Sequence, residues 1–228
     1  MDIDDNEILF NSSISPTNNT GIYIEERQLN DFFEFQHMAA INVMHINCRS
    51  MKKNFNDIVN LISTLSGSLT AIALTETWLT TLNEDTYKLP GYKFISQTRI
   101  NKTGGGVGIF ICNDFLYKTR SDLCRMTCNI ECLFVEITQR EKPSVLIGCI
   151  YRPPNTDVVA FNSEFESILK IIDSNHTRIS ILAGDYNLDL IKHDKHGPTA
   201  EFLNNLLAYS YIPTIRIALQ GLQIPLRH

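Results

Sequence analysis

The 228-residue sequence predicts a mixed α/β domain in which helices cover the faces of β-structure. Three observations carry this. Apolar runs of strand length recur from Ile41 onward. Segments with apolar residues at helical spacing separate some of these runs. Other runs are joined by turns alone, which sets paired strands beside strand–helix–strand units.

The elements follow in order. Ile41 to Asn47 alternates apolar residues and ends in polar ones, as a half-buried strand does. Asn54 to Leu65 places Phe55, Ile58, Val59, Ile62 and Leu65 on one face of a helix. Thr70 to Leu74 is a short buried-type strand, followed at once by Thr75-Glu76-Thr77-Trp78. Tyr92 to Ser96 and Val107 to Cys112 read as two strands around a loop. Glu131 to Thr138 and Val145 to Tyr151 read as another pair, with a turn at Glu141-Lys142-Pro143. Val158 to Ile172 is an amphipathic helix whose face includes Val159, Phe161, Phe165, Ile168, Leu169 and Ile172. Arg178 to Ala183 is a buried strand running into Gly184-Asp185, and Thr199 to Leu207 is a further helix.

Charge divides the chain. Residues 1–37 hold eight acids and one base, a net −7, and are rich in Asn, Ser, Asp and Glu without a sustained apolar period. They read as a flexible acidic leader. Residues 38–228 hold 17 acids and 19 bases, a net +2. The overall −5 therefore belongs to the leader, and phosphate binding by the body must be local rather than the work of a global field. The longest apolar runs are strand-sized, so no transmembrane helix and no membrane partner is expected. The first ten residues are acidic and lack the pattern of a secretion signal. The expectation is an intracellular protein, nuclear or cytoplasmic and not secreted. The Asn-x-Ser/Thr matches at Asn11, Asn18, Asn101 and Asn175 then count as chance. The six cysteines read as reduced thiols. Cys124, Cys128 and Cys132 recur every four residues but lack the second ligand pair of a zinc site.

Three polar clusters sit at the ends of apolar strands: Asn47, Glu76, and Asp185 with Asn187. Strand ends are where α/β folds aim side chains into a crevice. The residue types fit a hard cation such as Mg²⁺, which takes one or two carboxylates and keeps several waters. Glu76 can supply a carboxylate and Asn47 an amide oxygen. Asp185 can orient or deprotonate a water. Asn187 can donate a hydrogen bond to charge building on phosphorus oxygens. The loop Gly104-Gly105-Gly106 lacks the Lys-Ser/Thr of a phosphate-cradling loop and reads as a turn into a strand. Arg49, Lys52, Lys53, Arg99, Lys102 and Arg152 are candidates for contacts to a phosphate backbone.

In order along the chain stand Ile46-Asn47-Cys48-Arg49-Ser50, Leu74-Thr75-Glu76-Thr77-Trp78-Leu79, Gly104-Gly105-Gly106-Val107-Gly108-Ile109, Tyr151-Arg152-Pro153-Pro154 and Gly184-Asp185-Tyr186-Asn187. This series resembles the motifs of the endonuclease/exonuclease/phosphatase family. Its wording is similar to the apurinic-type endonuclease domain of non-LTR (LINE-type) retrotransposons, over about Ile41 to Arg216. The resemblance implies a four-layered α/β sandwich, two mixed β-sheets flanked by helices, over residues 38–216. It implies Glu76 as the main metal ligand with Asn47 beside it. It implies that Tyr151 positions the scissile phosphate, that Asp185 activates the water and that Asn187 steadies the transition state, with Arg152 close by. The implied partner is DNA, nicked with Mg²⁺ or, as a substitute, Mn²⁺, so that the nick primes reverse transcription. No stable protein partner is expected.

One departure accompanies the resemblance. The family continues with a strand carrying a further Asp and then a Ser-Asp-His, and no Ser-Asp-His occurs in these 228 residues. Asp194 and His196 fall on the loop after Asp189 and take no such role. The expectation is an incomplete domain without its last strands, a divergent tail over residues 217–228, and impaired catalysis. Two other readings stand beside it. One is a catalytically inert remnant or nucleic-acid-binding fragment. The other is a phosphatase or phospholipase of the same superfamily.

Overall fold

The computed structural model describes residues 41–65, 67–81, 86–100, 104–139, 141–175 and 179–213. The acidic leader, Lys102 and the divergent tail lie outside these residues. Two mixed sheets are formed. The first contains β1 (Val43–Asn47), β2 (Ala71–Thr75), β3 (Tyr92–Gln97) and β4 (Val107–Cys112), in the order β1-β2-β4-β3. The second contains β5 (Leu116–Thr119), β7 (Glu131–Gln139), β8 (Lys142–Tyr151) and β9 (Ile179–Asp185), in the order β5-β7-β8-β9, with β6 (Arg125–Met126) also on β7. Among the described residues three α-helices flank them: α1 (Met51–Thr64), α2 (Val158–Ser174) and α3 (Gly197–Ala208).

Period-two patterning sorts the side chains into layers. Ala71, Ala73, Val107, Ile109 and Ile111 of the first sheet meet Leu133, Val135, Ile137, Val145, Ile147, Cys149 and Tyr151 of the second. The intervening residues point outward. Ile72, Leu74 and Phe110 pack with Met51 and Ile58 of α1. Cys132, Phe134, Leu146 and Ile150 pack with Phe161, Phe165, Ile168 and Leu169 of α2 and Phe202 of α3. The result is the helix–sheet–sheet–helix sandwich that the family resemblance implied. β2 is buried on both faces, which is why Ala71-Ile72-Ala73-Leu74 is apolar without interruption.

Local signals set the boundaries. Asp157 caps α2 by accepting from the Val159 N–H at 2.8 Å. Pro198 stands in the first turn of α3, where its missing N–H costs nothing. The turn between β7 and β8 is tighter than the sequence reading. Lys142 already pairs with Gln139, and Pro143 lies in the first residues of β8, where a strand tolerates it. β5 and β6 have four and two residues and largely unburied side chains, so they offer no apolar run to read.

The topology places the site. β1 runs parallel to β2 with Asn47 opposite Thr75. β8 runs parallel to β9 with Tyr151 opposite Asp185. Each parallel pair delivers two carboxyl ends to the same place, and the two places face each other across the sandwich.

Candidate active site

Asn47 closes β1, Glu76 follows β2, and Asp185 closes β9. The Asn47 carboxamide nitrogen donates to Glu76 Oε1 at 2.9 Å and to Asp185 Oδ2 at 2.8 Å. One side chain thus joins two carboxylates that come from different sheets and lie far apart in sequence. Asn47 Oδ1 is buried and has no hydrogen-bond partner. A buried acceptor left open is costly, and beside two carboxylates the partner that suits it is a cation or a proton donor.

The backbone around this cluster is held in uncommon conformations. Arg49, Ser50, Glu76, Trp78 and Asn187 all have positive φ, at 42°, 98°, 54°, 53° and 48°. Only three other non-glycine residues among those described do so. Such strain collects where a site needs side chains aimed against local preference. Main-chain bonds hold it. Ser50 N–H donates to Glu76 O at 2.8 Å, Met51 N–H to Thr77 O at 2.9 Å, and Trp78 N–H to Gly105 O at 2.9 Å. The Cys48 thiol, pushed up to about pKa 12 by burial, donates to Thr75 O at 3.2 Å.

A buried ion pair braces the glycine-rich loop. Glu131, fully buried at the start of β7, accepts from Arg99 Nε and from the Gly106 N–H, both at 2.5 Å. Gly106 has φ 84°, and a Cβ there would lie 2.5 Å from Thr77 Oγ1. The loop can press against the Glu76–Trp78 segment only because no side chain intervenes. Glu131 was read from sequence merely as the first residue of a strand. No local sequence signal marks it, since its partner Arg99 lies 32 residues away in the chain.

Tyr151 ends β8 beside Glu131 of β7. Burial, with the negative charges of Glu76, Glu131 and Asp185, raises its pKa to about 12. It stays a phenol at neutral pH and can donate a hydrogen bond. Its hydroxyl makes no hydrogen bond to the described residues. Asp185 Oδ1 accepts from the Asn187 N–H at 3.0 Å, and Asn187 Nδ2 donates to Arg152 O at 2.8 Å. Between Asp185 and Asn187, Tyr186 roots the loop in a ring cluster with Phe202, Phe165 and Phe161 at centroid distances of 5.1, 6.0 and 6.4 Å.

The basic candidates separate. Arg49, Lys52 and Lys53 are exposed. Arg99 is committed to Glu131. Arg152 is turned inward and 5% exposed. It donates to Tyr186 O at 2.7 Å, Asn187 O at 2.5 Å, and Thr156 O and Oγ1 at 2.9 and 3.1 Å. It holds the Asp185–Asn187 loop from behind, a placement different from the phosphate contact expected of it. His45 on β1 went unremarked in the sequence. Burial lowers its pKa to about 4, against the opposing influence of Asp185, and its Nε2 lies 3.1 Å from Thr75 Oγ1. All six cysteines are free thiols. Among the described residues, no group of three or more His, Cys, Asp or Glu side chains is placed to hold a metal ion.

Two mixed sheets face to face with helices outside form the layered α/β sandwich that the sequence resemblance implied. Comparison with solved structures agrees. The chain is similar to the endonuclease domain of TRAS1, a telomere-specific non-LTR retrotransposon, with TM-score 0.55 and 12% identity over 77% of this chain and 75% of that one. It is similar to an AP endonuclease from Archaeoglobus fulgidus, with TM-score 0.54 and 12% identity over 78% and 76%. It is also similar to the 3′ phosphatase NExo from Neisseria bound to a product DNA hairpin, with TM-score 0.51 and 15% identity over 75% and 71%. At these identities the likeness is one of fold. No family model and no curated protein matches the sequence. No described helix is long and apolar enough to cross a membrane.

Proposed function

We propose that the chain is a divalent-cation-dependent phosphodiester hydrolase that nicks DNA, in the manner of a non-LTR retrotransposon endonuclease supplying a primer for reverse transcription. The observation that carries this reading is the Asn47 bridge between Glu76 and Asp185, with its own oxygen left open. A carboxylate and an amide oxygen, completed by water, suit Mg²⁺, or Mn²⁺ in its place. Glu76 and Asn47 Oδ1 would hold the ion, which when bound supplies Lewis-acid stabilisation of charge on phosphate oxygens.

The side chains then divide the work of hydrolysis. Asp185 accepts a proton from water as the water oxygen attacks phosphorus. Its position is fixed by the Asn47 amide on one oxygen and the Asn187 N–H on the other. Tyr151, kept protonated by its surroundings, donates to a phosphate oxygen. Asn187 has a second amide N–H beyond the one given to Arg152 O, and this can meet the same charge. Arg49 contacts the backbone of the bound strand. The P–O bond to the leaving oxygen breaks, and that oxygen takes a proton from solvent.

Supercoiled plasmid provides the test. A Mg²⁺-dependent nick that is lost in Glu76→Ala, with no hydrolysis of inositol phosphates or sphingomyelin, is the expected result. Absence of any nick at high protein concentration would leave the inert reading in its place. Preferential hydrolysis of soluble phosphoesters would favour a phosphatase.

A further inference from the structure

Trp78 is the sole tryptophan of the chain and is 43% exposed. Its neighbours Thr77 and Leu79 are buried, at 0% and 4%. A single exposed apolar side chain is ordinary on a protein surface; what sets this ring apart is the backbone that presents it. The backbone of Trp78 is bonded to Gly105 and sits at φ 53°, a conformation a bulky residue adopts only where its surroundings impose it. The Thr77 N–H also donates to Gly106 O at 3.2 Å, so the glycine-rich loop holds this segment along its length. That loop is in turn fastened by the buried Glu131. The indole is presented by a braced frame.

Its location limits what it can meet. Trp78 lies two residues after Glu76, a reach of at most about 7 Å along the chain. That distance is about two steps of a nucleic-acid strand. The adjoining 49–51 loop, bonded to the carbonyls of Glu76 and Thr77, leads to the exposed Arg49, Lys52 and Lys53. No described aromatic ring covers the indole. A flat apolar surface beside positive charge and one nucleotide or two from the reacting phosphate suits a nucleobase. In a fully paired duplex each base face is already stacked on its neighbour. Stacking on an added ring is open only to a base that is unpaired or easily unstacked.

We propose that Trp78 is a nucleobase-stacking residue of this site, selecting DNA that carries an unpaired base beside the scissile phosphodiester. The proposal rests on the DNA-nicking reading above and extends it to substrate choice.

The single tryptophan makes the test direct. The full chain is titrated in EDTA with a labelled duplex bearing a short central mismatch loop, and separately with its fully paired counterpart. DNA anisotropy reports binding and intrinsic fluorescence reports Trp78. The looped duplex is expected to quench the tryptophan, and the paired one to leave it largely unchanged. Trp78→Ala weakens binding of the looped duplex about tenfold and scarcely alters the paired one, while Trp78→Phe retains most of the affinity. Binding of looped DNA without quenching, equal quenching by both duplexes, or a Trp78→Ala variant of undiminished affinity overturns the proposal and leaves the nuclease reading intact. No anisotropy change with either duplex overturns the nuclease reading, and this inference with it.

Discussion

Arg152→Met separates two roles for a single guanidinium. As a phosphate contact on the surface, Arg152 would contribute little to folding, and its loss would mainly reduce the salt dependence of DNA binding. The structure assigns it different work. Its guanidinium meets the carbonyls of Tyr186, Asn187 and Thr156 at 2.7, 2.5 and 2.9 Å, and the Thr156 hydroxyl at 3.1 Å. Burial lowers its pKa, countered by Asp185. Methionine fills the volume of the stem but leaves three carbonyls without this donor. Hydrogen bonds to charged groups contribute about 1.5–3 kcal/mol each. These share one donor and are not additive, so the expected loss is about 3–5 kcal/mol. Urea unfolding followed by circular dichroism measures it. Arg152→Lys keeps the charge but not the fork, and should recover less than half of the stability. A loss below about 1 kcal/mol in Arg152→Met, or full recovery with lysine, would refute the bracing role.

Two further outcomes concern the frame around the site. His45 is held neutral in the fold, with its pKa near 4, while the unfolded imidazole takes up a proton near 6.5. The unfolded state therefore binds more protons between these values, and stability contributed by the neutral imidazole is complete above about pH 6.5 and declines as pH falls to 4. The decline amounts to at most about 3 kcal/mol; unfolding midpoints across this range should show a shallower slope in His45→Gln, and an unchanged slope would contradict it. Gly184→Ala would drive a Cβ into the carbonyl oxygen of Ile150, its partner on the parallel strand β8. A cost of at least about 4 kcal/mol or loss of soluble protein is expected, and a variant that melts like the parent would contradict this.

Much of the scaffold was legible because burial writes itself into sequence. Ala71–Leu74 and Val145–Tyr151 are apolar runs that no surface could carry, and both are central strands. Val158–Ile172 shows its helical face through Phe161, Phe165 and Ile168, all fully buried, whereas Val159, read onto the same face, lies in the first turn and is 52% exposed. β5 and β6 escaped notice because short edge strands bury few side chains. Within the site, Asn47, Glu76 and Asp185 were legible as polar residues ending apolar strands. Their convergence was not, because local pattern cannot show that β1 and β9 end face to face. Glu131 and His45 were missed for a related reason. Each is a polar residue in a strand, and only the packed structure shows one bound to Arg99 and the other held neutral by burial. Arg152 reads in the sequence as a phosphate contact, while in the fold it meets the carbonyls of Tyr186, Thr156 and Asn187, since the sequence does not show which carbonyls lack donors.

The cation site is the centre of this reading, and a Mg²⁺ titration followed by thermal unfolding addresses it without requiring turnover. At about a hundred times the dissociation constant, a bound ion stabilises the fold by about 2.7 kcal/mol. For a domain of this size that raises the melting temperature by about 5–10 °C. The rise should be present in the parent chain and absent in Glu76→Ala. A melting temperature indifferent to Mg²⁺ in the parent, or an equal rise in both proteins, would contradict the assignment of Asn47, Glu76 and Asp185 as a metal-dependent hydrolytic site.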